Sequence, residues 1–112
     1  WDKEKFTERA ENIIKQVASR NLDKPVFVIS PFYHCGDEYW DDDNAKVWRV
    51  ILENTVKKFN FKNVTYINGH DILDGVIYMS ADFLHPNIYG MQKIADDLTK
   101  IISEKLNIKT IR

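Results

Sequence analysis

The sequence predicts an α/β fold built around a partial parallel sheet. Helical and strand-like segments alternate along the 112 residues in the order helix, strand, helix, strand, loop, helix. Both strand-like segments are short, continuous apolar runs rich in β-branched residues, which is typical of strands covered on both faces of a parallel sheet. The residues between them are numerous enough for the crossover helix that parallel strands require.

The first helix is predicted over residues 3–20, because apolar residues recur there at spacings of three and four. They are Phe6, Ala10, Ile13, Ile14 and Val17. We expect Asn21 to end this helix and Pro25 to force a turn before the next element. The first strand then follows as Val26-Phe27-Val28-Ile29.

A loop rich in aromatic and acidic residues is predicted over residues 32–44, and a helix over residues 44–59. Asp42, Asp43 or Asn44 can cap this helix, since a short oxygen acceptor satisfies its first N–H groups. One apolar stripe defines the buried face of the helix. Its members are Val47, Trp48, Ile51, Leu52, Val56 and Phe59.

The second strand is predicted as Val64-Thr65-Tyr66-Ile67, and residues 68–86 are predicted to be mostly loop. The last helix is expected to begin after Asn87, which would cap it. Its predicted buried face is broad. The residues on it are Tyr89, Met91, Ile94, Ala95, Leu98, Ile101, Ile102 and Leu106.

Composition excludes several classes of protein. The chain has 16 Lys and Arg against 17 Asp and Glu, so its net charge of −1 gives no electrostatic reason for nucleic acid or an anionic membrane as a partner. A hydrophobic fraction of 44% argues against disorder. No apolar run approaches the roughly 18 residues of a membrane span. Cys35 is the single cysteine, so no intrachain disulfide can form.

The predicted sheet is incomplete. Two strands buried on both faces leave edges that lack a neighbour. We therefore expect either a homo-oligomer formed through an exposed sheet edge, or further strands on another polypeptide segment. The chain begins at Trp1 and not at Met, which agrees with a missing N-terminal segment.

The segment from Ser80 to Gly90 combines an acid, a base and a helix start. An Asp and a His three residues apart on a turn, as Asp82 and His85 are, can place the carboxylate against one imidazole nitrogen. That contact sets the tautomer and leaves the other nitrogen as a general base. Pro86 stiffens the backbone after the His, and Asn87 anchors the turn to the helix.

The motif Asp82-x-x-His85-Pro86-Asn87, followed by Gly90 and an amphipathic terminal helix, resembles the last block of the SGNH (GDSL-type) hydrolases. The order of the preceding elements is also similar to the C-terminal half of that family. The resemblance implies a three-layer α/β/α, flavodoxin-like fold whose N-terminal strands are absent. Residues 1–112 would then be the C-terminal portion of a single domain.

The function that the resemblance implies is hydrolysis of a small acyl ester by a serine. His85 would be the catalytic base and Asp82 would orient it. No metal or organic cofactor is implied. The Gly-Asp-Ser and Gly-x-Asn-Asp blocks that supply the nucleophile and the oxyanion donors in the family are absent from this sequence. The chain alone is therefore expected to be nearly inactive. The compartment stays open, because a signal peptide would lie upstream of Trp1.

Aromatic residues of the loop after the first strand are candidates for an acyl or sugar pocket near the site. They are Phe32, Tyr33, Tyr39 and Trp40. The same loop carries His34, Cys35, Asp37, Glu38 and Asp41 to Asp43, whose spacing matches neither a zinc nor a calcium pattern. A solvated loop whose last acids cap the next helix is the favoured interpretation.

Other interpretations stay open beside the triad. Ser30 and Ser80 are alternative nucleophiles, although neither has the Gly-flanked elbow that exposes such a serine. Cys35 could pair with His85 for thiol chemistry. His70 and Asp71 form a further polar pair, and the Asp82–His85 contact could serve only to shape a turn. The alternative function is a non-catalytic α/β interaction module that completes its sheet with another chain.

Overall fold

The structure is a computed structural model that describes residues 2–39 and 44–109. It contains four α-helices and two strands in these residues, and the predicted helices and strands are confirmed. Their bounds are α1 Lys3–Arg20, β1 Val26–Ile29, α2 Asn44–Phe59, β2 Val64–Ile67, α3 Gly69–Ile72 and α4 Ile88–Leu106. The short helix α3 and the 3₁₀ turns Cys35–Asp37 and Val76–Tyr78 lie where only loop was predicted.

Short polar side chains set the helix ends. Asp2 caps α1 by accepting from the N–H of Lys5 at 2.8 Å, and Asn21 ends that helix as predicted. Asn87 caps α4, also as predicted, by accepting from the N–H of Gly90 at 2.9 Å. The proposed caps of α2 at Asp42 and Asp43, and the side chain of Asn44, lie outside the described part of the structure.

The two strands run parallel, with Val26 opposite Val64 and Ile29 opposite Ile67. Alternate side chains point to opposite faces of the sheet. Tyr66 points toward α2, where its hydroxyl lies 3.3 Å from the carbonyl oxygen of Arg49. Ile67 points the other way and joins the core cluster against which α4 packs. Helices therefore cover both faces of the sheet, which makes three layers and confirms the α/β class.

The core lies between the sheet, α3 and α4. Its buried members are Tyr33, Ile67, Ile72, Leu73 and Met79, with Phe27, Phe32, Tyr78, Ile94, Leu98 and Ile101 packed around them. The predicted stripes on α1 and α4 are wider than the buried faces that the structure shows. Ile13, Val17, Tyr89, Met91, Ala95 and Leu106 are exposed. A sheet of two strands is too narrow to cover such wide stripes, because adjacent strands lie only about 4.8 Å apart.

The strand β1 is less buried than the sequence predicted. Val26, Phe27 and Val28 are only half-buried, and Ile29 is exposed. The chain has an accessible surface of 7890 Å², whereas a compact monomer of 13.2 kDa exposes about 6,400 Å². The chain therefore exposes more surface than a compact monomer of its mass, and the Ile29 side chain is part of it. Within the described residues, no helix combines the length and the apolarity that crossing a bilayer would need.

Candidate active site

Asp82 and His85 form a hydrogen-bonded acid–base pair. The Nδ1 atom of His85 lies 2.6 Å from Oδ2 of Asp82. Since a carboxylate only accepts hydrogen bonds, Nδ1 carries the proton and Nε2 is left with its lone pair in the neutral ring. The side chain of His85 is 73% exposed, so this nitrogen is open to an incoming proton donor. The pair therefore has the arrangement that general-base catalysis needs.

The carboxylate of Asp82 is held in its charged form. The hydrogen bond from the His85 ring, together with those from the backbone N–H groups of His85 and Leu84, keeps the pKa of Asp82 well below its usual range. The backbone bonds are 3.0 and 2.9 Å long and both reach Oδ1. Oδ1 thus accepts the two backbone hydrogen bonds that stabilise the turn, while Oδ2 contacts the imidazole. The carboxylate is fixed by the turn and therefore orients the His85 ring.

Residues 80–86, the motif loop, are closed at their base by hydrogen bonds across the chain. The N–H of Ser80 donates to the carbonyl of His85 at 2.8 Å, and Met79 forms an antiparallel bridge with Pro86. The amide of Asn87 also donates to the carbonyls of Ile77 and Met79. Asn87 therefore ties the loop to α4 and to the preceding 3₁₀ turn, which positions His85 on a rigid support.

The two alternative serines are engaged in structural hydrogen bonds. Ser30 is buried, and its oxygen accepts from the N–H of Gly69 and the hydroxyl of Tyr66, both at 3.0 Å. Burial raises the pKa of Tyr66, which keeps that hydroxyl protonated as a donor. Ser80 donates to the carbonyl of Pro86 at 3.1 Å. Both hydroxyls thus have their own partners in the fold.

The structure separates the aromatic candidates. Tyr33 is buried in the core, where its ring meets that of His70 edge-on at 6.2 Å. Tyr39 is 68% exposed and its ring meets that of Phe83 edge-on at 6.4 Å. Trp40 lies outside the described residues. Tyr39 is therefore brought beside the motif loop, whereas Tyr33 packs as a core residue.

The described part of the loop after β1, residues 32–39, is more buried than its acidic composition predicted, and Asp41 to Asp43 lie outside the described residues. Asp37 is buried against Arg49, which also donates to the carbonyls of Pro31 and Phe32. His34 caps the 3₁₀ turn by accepting from the N–H of Gly36. Arg49 was not predicted as a site residue, because a charged residue on a helix does not indicate which distant carboxylate it will pair with. In the described residues no three His, Cys, Asp or Glu side chains converge to hold a metal ion.

A cavity of about 430 Å³ lies near the carboxyl ends of the strands, where ligands commonly bind in open α/β sheets. Its walls include Tyr33, Arg49, Tyr66, Asn68 and His70. Asp82 and His85 are not among the residues that line it.

Cys35 contacts the motif loop through its backbone N–H, which donates to the carbonyl of Phe83 at 2.7 Å. The acid–base pair thus stands on an exposed surface of the described chain.

Comparison with known proteins identifies the fold. No family model matches the sequence, and no curated protein matches it. One similar solved structure is the salicylyl-acyltransferase SsfX3 from a tetracycline biosynthetic pathway, with a TM-score of 0.73 and 20% sequence identity. The match covers 96% of this chain and 34% of that one, so this chain spans about a third of its length. At that identity the likeness shows the fold alone, and the fold is one that an enzyme uses.

Proposed function

We propose that this chain is part of a serine ester hydrolase of the SGNH type, in which Asp82 and His85 are the triad acid and base. The observation that carries the proposal is the 2.6 Å contact between Nδ1 of His85 and Oδ2 of Asp82, in a turn that two backbone hydrogen bonds hold rigid. The His85 ring is 73% exposed, which leaves room for a serine from another segment to approach Nε2 within hydrogen-bond distance.

The reaction would proceed in two half-reactions. The serine oxygen attacks the acyl carbon and passes its proton to Nε2 of His85, and the alcohol leaves with that proton. Water then attacks the acyl-serine and gives one proton to Nε2, after which the acid departs and the proton returns to the serine. Asp82 stays ionised throughout and stabilises the imidazolium, which its low pKa favours.

The nucleophilic serine and the oxyanion donors would come from polypeptide outside residues 1–112. Ser30 and Ser80 are supported as structural residues by their hydrogen bonds. The fold shared with an acyltransferase agrees with acyl chemistry, since transfer and hydrolysis of an acyl group differ in the acceptor. The substrate would be a small acyl ester.

The test uses the full gene product that carries these residues and a 4-nitrophenyl acetate assay. His85→Gln is expected to lower kcat by at least about 10³-fold, because triad members act as a unit. Lys62→Gln is the control, since Lys62 is exposed in the turn before β2 and belongs to no proposed catalytic step. Retained turnover in His85→Gln, with the fold intact, would contradict the assigned role.

A fluorophosphonate probe gives a second test of the same proposal. It is expected to label one serine outside residues 1–112, and Asp82→Asn is expected to slow that labelling strongly, whereas Asp74→Asn, at an exposed position, is not. Labelling of Ser30 or Ser80 would overturn the proposed source of the nucleophile.

A non-catalytic interaction module is the second candidate function, and one observation favours it. Ile29 and Ile67 are register partners on the same face of the sheet, yet Ile29 is 39% exposed and Ile67 is 5% exposed. The surface in excess of a compact monomer, about 1,500 Å², is larger than the roughly 800 Å² that each partner buries in a standard interface. The exposure of Ile29 places part of this surface beside β1, where another strand would complete the sheet.

Sedimentation of the 112-residue chain tests this second candidate. A dimer that Ile29→Asp dissociates, and that Ile108→Asp at an exposed position after α4 leaves intact, would support pairing at the β1 edge. A well-folded monomer would contradict it. A dimer is also compatible with a hydrolase fragment, so the activity assay above distinguishes the two functions.

A further inference from the structure

An exposed aromatic side chain lies inside the motif loop itself. Phe83 follows Asp82 directly and precedes His85 by two positions, and it is 45% exposed. Its backbone has φ of +54°, a left-handed conformation that is unfavourable for a bulky residue. An aromatic residue thus occupies a position that glycine would occupy without strain.

Hydrogen bonds to both the backbone N–H and the backbone carbonyl of Phe83 stabilise this conformation. Its N–H donates to the carbonyl of Ser80 at 3.0 Å, and its carbonyl accepts from the N–H of Cys35 at 2.7 Å. The second bond joins the motif loop to the 3₁₀ turn after β1. Tyr39 follows this turn by two residues, and its ring meets the Phe83 ring at 6.4 Å with an interplanar angle of 62°.

We propose that Phe83 and Tyr39 form an aromatic wall that binds a ring of the ester substrate next to His85. The two rings are arranged edge to face, and both keep large exposed areas, 45% for Phe83 and 68% for Tyr39. A third ring can pack against them with the offset or edge-on geometry that aromatic groups prefer. The wall thus selects esters that carry an aromatic ring over short alkyl esters.

This inference rests on the proposed hydrolase and names its substrate class. The ring could belong to the acyl group or to the leaving alcohol. Vinyl benzoate and phenyl acetate, each compared with vinyl acetate, separate these two sources. The measured quantity is the ratio of kcat/KM for the aromatic ester to that for vinyl acetate.

Phe83→Leu and Tyr39→Leu keep apolar bulk and remove the ring. Each is expected to lower the selectivity ratio roughly threefold to tenfold, the range that an aromatic contact supplies beyond area burial. Leu22→Ala is the control, because Leu22 is exposed at the amino end of β1, at the opposite end of the strand. An unchanged ratio in both Leu variants would overturn the wall, and the hydrolase proposal would stand.

A binding measurement keeps the proposal testable if the gene product hydrolyses no ester. Benzamide is titrated into the full gene product while the NMR signals of the His85 ring are followed. Binding is expected to shift those signals through the ring current, and Phe83→Gly, which removes the ring and the strain together, is expected to raise Kd roughly threefold or more. Binding without any ester hydrolysis would refute the hydrolase and keep the wall. No shift in the wild type, or an unchanged Kd in Phe83→Gly, would refute the wall.

Discussion

Arg49 holds Asp37 through both oxygens of its carboxylate, with Nη1 2.5 Å from Oδ1 and Nη2 2.9 Å from Oδ2. Both side chains are buried, and the same guanidinium donates to the carbonyls of Pro31 and Phe32. Arg49 of α2 thereby stabilises the conformation of the segment 31–37 that follows β1. Since that segment includes Cys35 and leads to Tyr39, which both contact Phe83 of the motif loop, the ion pair helps to set the position of these contacts.

Removal of Arg49 is predicted to be strongly destabilising. Arg49→Met should lower the free energy of unfolding by about 3 kcal/mol, because it leaves the Asp37 carboxylate buried without a cation. Urea unfolding measures this value. Lys57→Met is the control and should change the free energy by less than about 0.5 kcal/mol, because Lys57 forms only an exposed pair with Glu53. A double variant, Arg49→Met with Asp37→Asn, should be more stable than Arg49→Met alone.

The free energy of unfolding is predicted to fall at acidic pH, because the Asp37 carboxylate becomes protonated. Burial disfavours the charge of this carboxyl, but hydrogen bonds from Arg49 and from the backbone of His34 hold its pKa below the ordinary value. The folded state therefore binds fewer protons than the unfolded state near pH 4. The stabilisation is present above the unfolded pKa of about 3.9 and is lost as the pH falls through the folded pKa. Urea midpoints between pH 6 and pH 2.5 should fall less in Asp37→Asn than in the wild type, and parallel curves would contradict this.

Gly69 is predicted to tolerate no side chain. A Cβ atom there would lie 2.1 Å from the carbonyl oxygen of Ser30 and 2.8 Å from the carbonyl carbon of Pro31, both backbone atoms. Gly69→Ala should therefore cost about 2 kcal/mol or more, since the start of α3 must move away from the end of β1. Gly75→Ala is the matched control, because nothing lies within 4 Å of its added Cβ. Equal melting temperatures for the two variants would refute the close approach.

Phe83 is predicted to be strained by its left-handed backbone. Phe83→Gly should be more stable to urea than Phe83→Ala by about 1 kcal/mol, because both lose the ring contact with Tyr39 but only glycine relieves the conformation. Asn107→Ala and Asn107→Gly form a reference pair at a left-handed helix end. If alanine and glycine at position 83 were equally stable, the strain would be absent.

The local sequence was enough to predict the three long helices, the two strands and the contact of Asp82 with His85. The period of the apolar residues predicted α1, α2 and α4, and Asn21 and Asn87 marked helix ends. The spacing of Asp82 and His85 predicted their contact, because a turn of three residues has few ways to place a short carboxylate. The short helix α3 was not predicted, since four residues are too few to show a period.

What the sequence by itself determined is therefore local: which segments are helix or strand, where helices end, and that Asp82 meets His85. Only the tertiary structure decided that Asp37 is buried against Arg49, that Ser30 joins Tyr66 and Gly69, and that Tyr39 meets Phe83. Those partners are separated by 12 to 44 residues, so their contacts depend on how whole elements pack and not on any spacing along the chain. The exposure of Ile29 beside its buried register partner Ile67 has the same origin, because it depends on how many strands stand next to β1.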